Sequence, residues 1–283
     1  MKREQSIKKA AQLEFYVDFI LGILVLAIAI WIHSTLLYAQ AISGFIGASI
    51  AFINAWYVNK NQHEVTKEKR LINGRKEYFF NIALSVVLIY FGLAFFREGL
   101  RMGHEHPENH MILMIIAVIS IIKFYLGSLT IKEGKNLEAT NLKIIGLITR
   151  NESFIGLVNV ITLSGVFSHL PLFSKLAIIV MAEVMILTGL RTISYYKKVL
   201  IGVDLDQDQE KEIYSMLKSI PFVEKVNELI VHDYGYYNKL ATVNASVSEK
   251  ITIEELDNNL KNVKNQIYDK FGIELILNIS PSR

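Results

Sequence analysis

The sequence predicts an all-α membrane domain of six spanning helices followed by a small α+β domain. Three observations carry this. Six apolar stretches are each near the roughly 20 residues that a spanning helix needs. Basic residues gather in alternate loops between them. The chain then turns polar, and its apolar residues recur first at helical and then at strand spacing.

The first span runs from about Phe15 to Ile32 and the second from about Thr35 to Val58. A basic stretch, NKNQHEVTKEKRLINGRKE, reads as the loop after it. The third span covers about Tyr78 to Phe96, and the polar loop REGLRMGHEHPENH leads to the fourth, about Met111 to Thr130. The fifth runs from about Ile144 to Phe167 and the sixth from about Leu172 to Tyr195. Of the 283 residues 52% are hydrophobic, which the spans explain better than a large soluble core. The start, MKREQSIKKAAQLE, is long and polar, and no small-residue cleavage site follows the first apolar run, so no removable signal peptide is expected.

Charge orients the spans. Lys2, Arg3, Lys8 and Lys9 precede the first, Lys60 to Lys76 carry six basic residues after the second, and Lys132, Lys135 and Lys143 follow the fourth. The alternate loops are poorer, so the positive-inside rule puts both termini in the cytoplasm of a multi-pass cell-membrane protein. The net charge of +3 is spent on these loops, and nothing suggests nucleic-acid binding. With no cysteine, disulfides and thiolate metal sites are excluded. No phosphate loop or nucleophile constellation appears, so a soluble enzyme is not expected.

The boundary between domains is placed after residue 201. In 202–283, DQDQEKEIYSMLKSI reads as a helix with Ile213, Leu217 and Ile220 on one face. KVNELIVH and KLATVNASV read as strands joined by a turn with Gly235. Thr252 and Glu255 form a capping-box pattern opening a helix with Leu256, Leu260, Val263, Ile267 and Phe271 on one face. Gly272 ends it, and IELILNI is a last strand. The order αββαβ gives an open sheet with helices on one face, a ferredoxin-like layer fold.

Six spans, both termini on one side and an αββαβ tail resemble the cation diffusion facilitator family. Ser34 sits where that family has Gly-Ser before its second span. Gly74-Arg75-Lys76-Glu77 is similar to its Gly-His-Gly-Arg-x-Glu entrance to the third, and Leu187-Thr188-Gly189-Leu190-Arg191 to the end of its sixth. The resemblance implies a homodimer in the lipid bilayer that exports a divalent cation, mostly zinc, in exchange for protons. It implies no cofactor beyond that transported ion. It also implies a site of four side chains, one His/Asp-x-x-x-Asp pair on each of spans two and five. Counted from Ser34 and back from Gly74, the first pair falls on Ser43 and Gly47, with Ala41 and Phe45 as the alternative register. The second falls on Thr149 and Ser153, or on Asn151 and Ile155. No register supplies a carboxylate or imidazole pair, and Glu152 is the only carboxylate nearby. The family's cytoplasmic histidines fall on Asn73 and near Lys69 in the loop, and on Asn227, Asn244 and Asn278 in the tail. Asparagine is a weak ligand for a borderline ion.

Charges inside spans are expensive and therefore informative. Asp18 and Lys123 both lie about 8–12 Å in from the cytoplasmic side at 1.5 Å per residue. They read as a buried ion pair, or as a proton or cation relay with Glu14 one turn earlier. Glu183, near mid-membrane, reads either as a carboxyl hydrogen-bonded to Asn81 or Ser85 or as a proton-coupling group. His104, Glu105, His106 and His110 share one loop, which reads as solvated or as a metal-capturing loop. His63 reads as a solvated loop residue, His232 as structural or exposed or else a metal ligand, and Tyr234, Tyr236 and Tyr237 as turn packing or a partner contact. Three functional expectations follow: a cation/proton antiporter with displaced ligands, a non-transporting regulatory or scaffolding relative that pairs with an active paralogue, and a tail that senses a ligand other than metal.

Overall fold

The computed structural model describes residues 2–64, 66–101, 109–137, 139–166, 172–201, 207–221, 223–234, 239–247 and 253–281. The element order is α1 (Lys2–Ile32), α2 (Thr35–His63), α3 (Lys67–Arg101), α4 (His110–Asn136), α5 (Thr140–Leu163), α6 (Phe173–Ile201), α7 (Gln207–Lys218), β1 (Val223–Asp233), β2 (Lys239–Val247), α8 (Ile253–Phe271) and β3 (Ile273–Pro281). Among the described residues six helices, α1 to α6, are long and apolar enough to cross a membrane. The chain divides into two compact units. One comprises 1–63 and 79–194. The other comprises 64–78 and 195–283, so the first turns of α3 and the last of α6 belong with the tail.

The basic stretch after the second span departs from its sequence reading as a loop. α2 continues to His63 and α3 begins at Lys67, so most of it is helical. Lysine, arginine and glutamate are good helix formers, and a charged sequence can extend a spanning helix beyond the bilayer without burying a charge.

Within the first unit, two helical hairpins form the frame. α1 and α2 meet at His33, whose φ of 53° is left-handed. Ser34 Oγ then accepts from the Leu37 backbone N–H at 3.3 Å, capping α2. α4 opens on Asn109, whose side-chain oxygen accepts from Met111 N–H at 3.0 Å. α4 and α5 cross closely at Gly127 and Gly146. A Cβ on either would lie 2.6 Å from the other's carbonyl oxygen, so only glycine permits this approach. α2 and α5 pack together, and α1 packs on α4 and α5. α3 and α6 meet through Gly92, which faces Ile186 and the Ala182 carbonyl, and through Gly189, which faces Ser85 and Ile89. Asn151 donates to Thr188 Oγ1 at 2.9 Å, tying α5 to α6.

In the tail the three strands lie in the order β1-β2-β3, the first pair antiparallel and the second parallel. Alternate β2 residues Ala241, Val243, Ala245 and Val247 are buried, as strand periodicity requires. They pack under Ile213 and Leu217 of α7 and Leu260, Val263, Ile267 and Phe271 of α8. Gly272, at φ 65°, ends α8. This is the αββαβ layer that the sequence predicts. Gly235 and Thr252 lie outside the described residues.

Candidate functional site

The first unit buries a charged cluster where α1, α4 and α5 converge. Glu14 and Asp18 stand one turn apart on α1, so they share a face. Both are fully buried. Lys123 comes from α4 and is 2% exposed; Thr149 and Glu152 come from α5 and are equally buried. The Lys123 ammonium lies 3.0 Å from Asp18 Oδ1 and also donates to Glu152 Oε2. Thr149 Oγ1 is 3.0 Å from Glu14 Oε2 and 3.0 Å from Asp18 Oδ2. The ion pair between Asp18 and Lys123 is therefore one edge of a five-residue network spanning three helices.

Two features of the network bear on chemistry. Three carboxyl groups face one ammonium, so a fully ionised cluster carries two uncompensated negative charges. One divalent cation or two protons would balance them, and isolated charge is costly in this environment. A hydroxyl also has only one proton to give. Thr149 touches two carboxyl oxygens, so a proton held in the cluster, or a cation, answers the second contact. Glu14 Oε1 and Glu152 Oε1 have no hydrogen-bond partner among the described residues.

The room for this cluster comes from α2. A Cβ on Gly47 would lie 2.5 Å from Glu152 Oε1, and one on Gly44 would lie 3.3 Å from Lys123 Nζ. The positions implied by the family resemblance thus border the cluster in different ways. Gly47 makes space for Glu152, and Thr149 bridges the α1 carboxyls. Ser43 is buried beside Gly44, while Ser153 donates to its own helix at the Arg150 carbonyl, 2.7 Å away. No carboxylate or imidazole pair stands on α2 and α5, as the sequence register indicates.

The remaining sequence candidates lie elsewhere. Glu183 is exposed on α6, against the expectation of a bond to Asn81 or Ser85. Ala182, Ile186 and Gly189 are the residues of α6 that meet α3, and Glu183 points off that face. His110 is exposed at the start of α4; His104 and His106 lie outside the described residues. Among the described residues no group of three or more His, Cys, Asp or Glu could hold a metal ion. In the tail, Asn278 donates to Asn244 at 3.1 Å and Asn244 to Glu228 at 2.9 Å. Asn227 stands apart, bonded to Ser246 at 3.1 Å. His232 is half-buried on β1, its ring 6.2 Å from Tyr234. The Arg75 guanidinium lies 4.5 Å over the Tyr234 ring, joining the first turns of α3 to the end of β1.

Asp18, Lys123 and Glu14 stand out in the sequence, whereas Glu152 stands there as an isolated carboxylate. The signal for its role was available. Glu14-x-x-x-Asp18 is itself a pair of carboxylates at four-residue spacing, on span one rather than two. Gly44 and Gly47 mark the clearing opposite Glu152.

Six membrane-capable helices define a multi-pass integral membrane protein, with a buried ionisable cluster where α1, α4 and α5 converge. Residues 11–201 match the cation efflux transmembrane domain, and the chain belongs to that family. No curated protein matches the chain in sequence.

Proposed function

We propose that this protein is a secondary transporter that exchanges a hard divalent cation for protons at the Glu14–Asp18–Glu152 cluster. The observation that carries this is the charge imbalance, three buried carboxyls against the single ammonium of Lys123. A two-charge deficit is what one divalent cation, or two protons in exchange, would fill. The donors are oxygens alone, which favours manganese or magnesium over zinc. As they stand, Glu14, Asp18 and Glu152 do not form a group that could hold a metal ion; the Lys123 ammonium stands between Asp18 and Glu152, where the cation would sit. Transport therefore requires the ammonium to withdraw as the cation enters, with α4 shifting against α1 and α5. Both termini are read as cytoplasmic from the basic residues of alternate loops, and a homodimer is read from the family resemblance.

Purified protein in liposomes with an imposed proton gradient tests this. Manganese or magnesium is expected to move, and Asp18→Asn and Glu152→Gln are each expected to abolish that movement. No flux across manganese, magnesium, zinc, iron and cobalt would overturn the reading. It would favour a non-transporting relative instead, in which Lys123 locks the site shut. The observation favouring that second reading is the seat already filled by a tethered ammonium.

A further inference from the structure

A second polar layer lies next to the charged cluster. Gln40 on α2, Ser120 on α4 and Asn159 on α5 are 3%, 2% and 0% exposed. Asn159 Nδ2 donates to Gln40 Oε1 at 2.6 Å and approaches the Leu36 carbonyl at 3.4 Å. Ser120 donates to the Ile116 carbonyl at 2.8 Å, which leaves its oxygen free to accept. The layer is incomplete. Gln40 Nε2, a donor, and Asn159 Oδ1, an acceptor, have no partner among the described residues. An unmet buried donor or acceptor costs about 1–3 kcal/mol. Two of opposite kind in one layer suit a water molecule, which accepts from one and donates to the other.

The layer is stacked on the cluster along the same helices. Gln40 is one turn from Gly44 on α2, Ser120 one turn from Lys123 on α4, and Asn159 two turns from Glu152 on α5. At the helical rise this separates the layers by roughly 5–10 Å. Between them Gly156 keeps the way open, since a Cβ there would strike Ser120 Oγ and lie 3.0 Å from Gln40 Nε2. Past Asn159 the polar seam continues through the Leu36 carbonyl to buried Thr162 and Ser34, at the end where α1 turns into α2.

We propose that Gln40, Ser120 and Asn159 form a water-holding station that opens the charged cluster to the α1–α2 end of the bundle. Being uncharged, it lets a partly hydrated cation pass without retaining it. This rests on the transport reading for its purpose, but not for its existence.

The absence of cysteine makes the test clean. Gln40→Cys and Asn159→Cys are placed singly in the full-length chain and treated, from each side of the membrane, with a small membrane-impermeant methanethiosulfonate. Met111→Cys, exposed at the start of α4, marks the α1–α2 side. Both buried cysteines are expected to react from the side that labels Met111→Cys. Two variants guard against misfolding of one. If neither reacts while Met111→Cys does, or if both react only from the opposite side, the station is overturned. Gly156→Ala, which fills the layer, is expected to cut manganese flux about tenfold, or ~1.4 kcal/mol of barrier, with manganese binding unchanged. Unaltered flux in Gly156→Ala would also overturn it. If the wild-type chain moves none of manganese, magnesium, zinc, iron and cobalt, the transport reading falls and the labelling alone decides the station.

Discussion

At Lys123 the placement of a single amine decides how the buried charges are held. Removing one partner of a buried ion pair strands the others, typically at about 3–5 kcal/mol. Lys123→Met is therefore expected to lower the unfolding temperature of the purified protein sharply. Asp18→Asn in the same chain should recover part of the loss, because it removes one of the stranded carboxylates; a double-mutant cycle measures the recovery. Additive losses would mean that the two residues do not share a network. Gly47 is the second decisive residue. A methyl there meets Glu152 Oε1, and Glu152 is pinned by Lys123 on its other oxygen. Gly47→Ala should cost about 1–3 kcal/mol, as overpacking of a filled interior does. Calorimetry in detergent would show this, and an unchanged transition would show that Glu152 can swing away freely. The sequence names Asp18 and Lys123 readily, because ionisable residues in apolar runs stand out. It does not name Gly47 or Gly156, because a glycine's importance is the atom it makes room for, and that atom comes from another helix.

At the scale of elements, the α4–α5 crossing holds Lys123 against Glu152. Gly127 and Gly146 bring the two backbones within contact. Gly146→Leu should force the helices apart, costing about 1–3 kcal/mol by overpacking and separating the ion pair four and six residues away. Flux loss together with a lowered melting temperature is expected; full activity would show that the crossing does not set the site. The helices themselves were legible from apolar length and flanking charge, and the tail elements from helix and strand periodicity. The basic stretch between α2 and α3 was not, because composition marks it as polar while helix propensity and continuity with a spanning helix decide its conformation. A pair of carboxyls at four-residue spacing was also legible, but on α1. Only the packing of α1 onto α4 and α5 shows that this helix supplies the carboxyls.

For the whole molecule, the two compact units make different demands. The tail is held by a conventional apolar core, with Ile267 fully buried between α8 and the sheet. Ile267→Ala should cost about 2–5 kcal/mol. Hydrogen exchange on the full-length protein would show it as lost protection in β2, β3 and α8, with α4 and α5 unchanged. Loss of protection in both would mean that the units unfold together. By itself, the sequence determined the six spans, the tail's strand and helix order, the family and the lack of the four-ligand set. Each of these is a local or one-dimensional property: apolar length, periodicity, the residue at a counted position. The tertiary structure decided which charges meet. Glu14, Asp18, Lys123, Thr149 and Glu152 are up to 138 residues apart, and Gln40 pairs with Asn159 across a similar separation. Such contacts depend on how four helices rotate about their axes, a choice fixed by glycines and buried polar groups acting together rather than by any one stretch of chain.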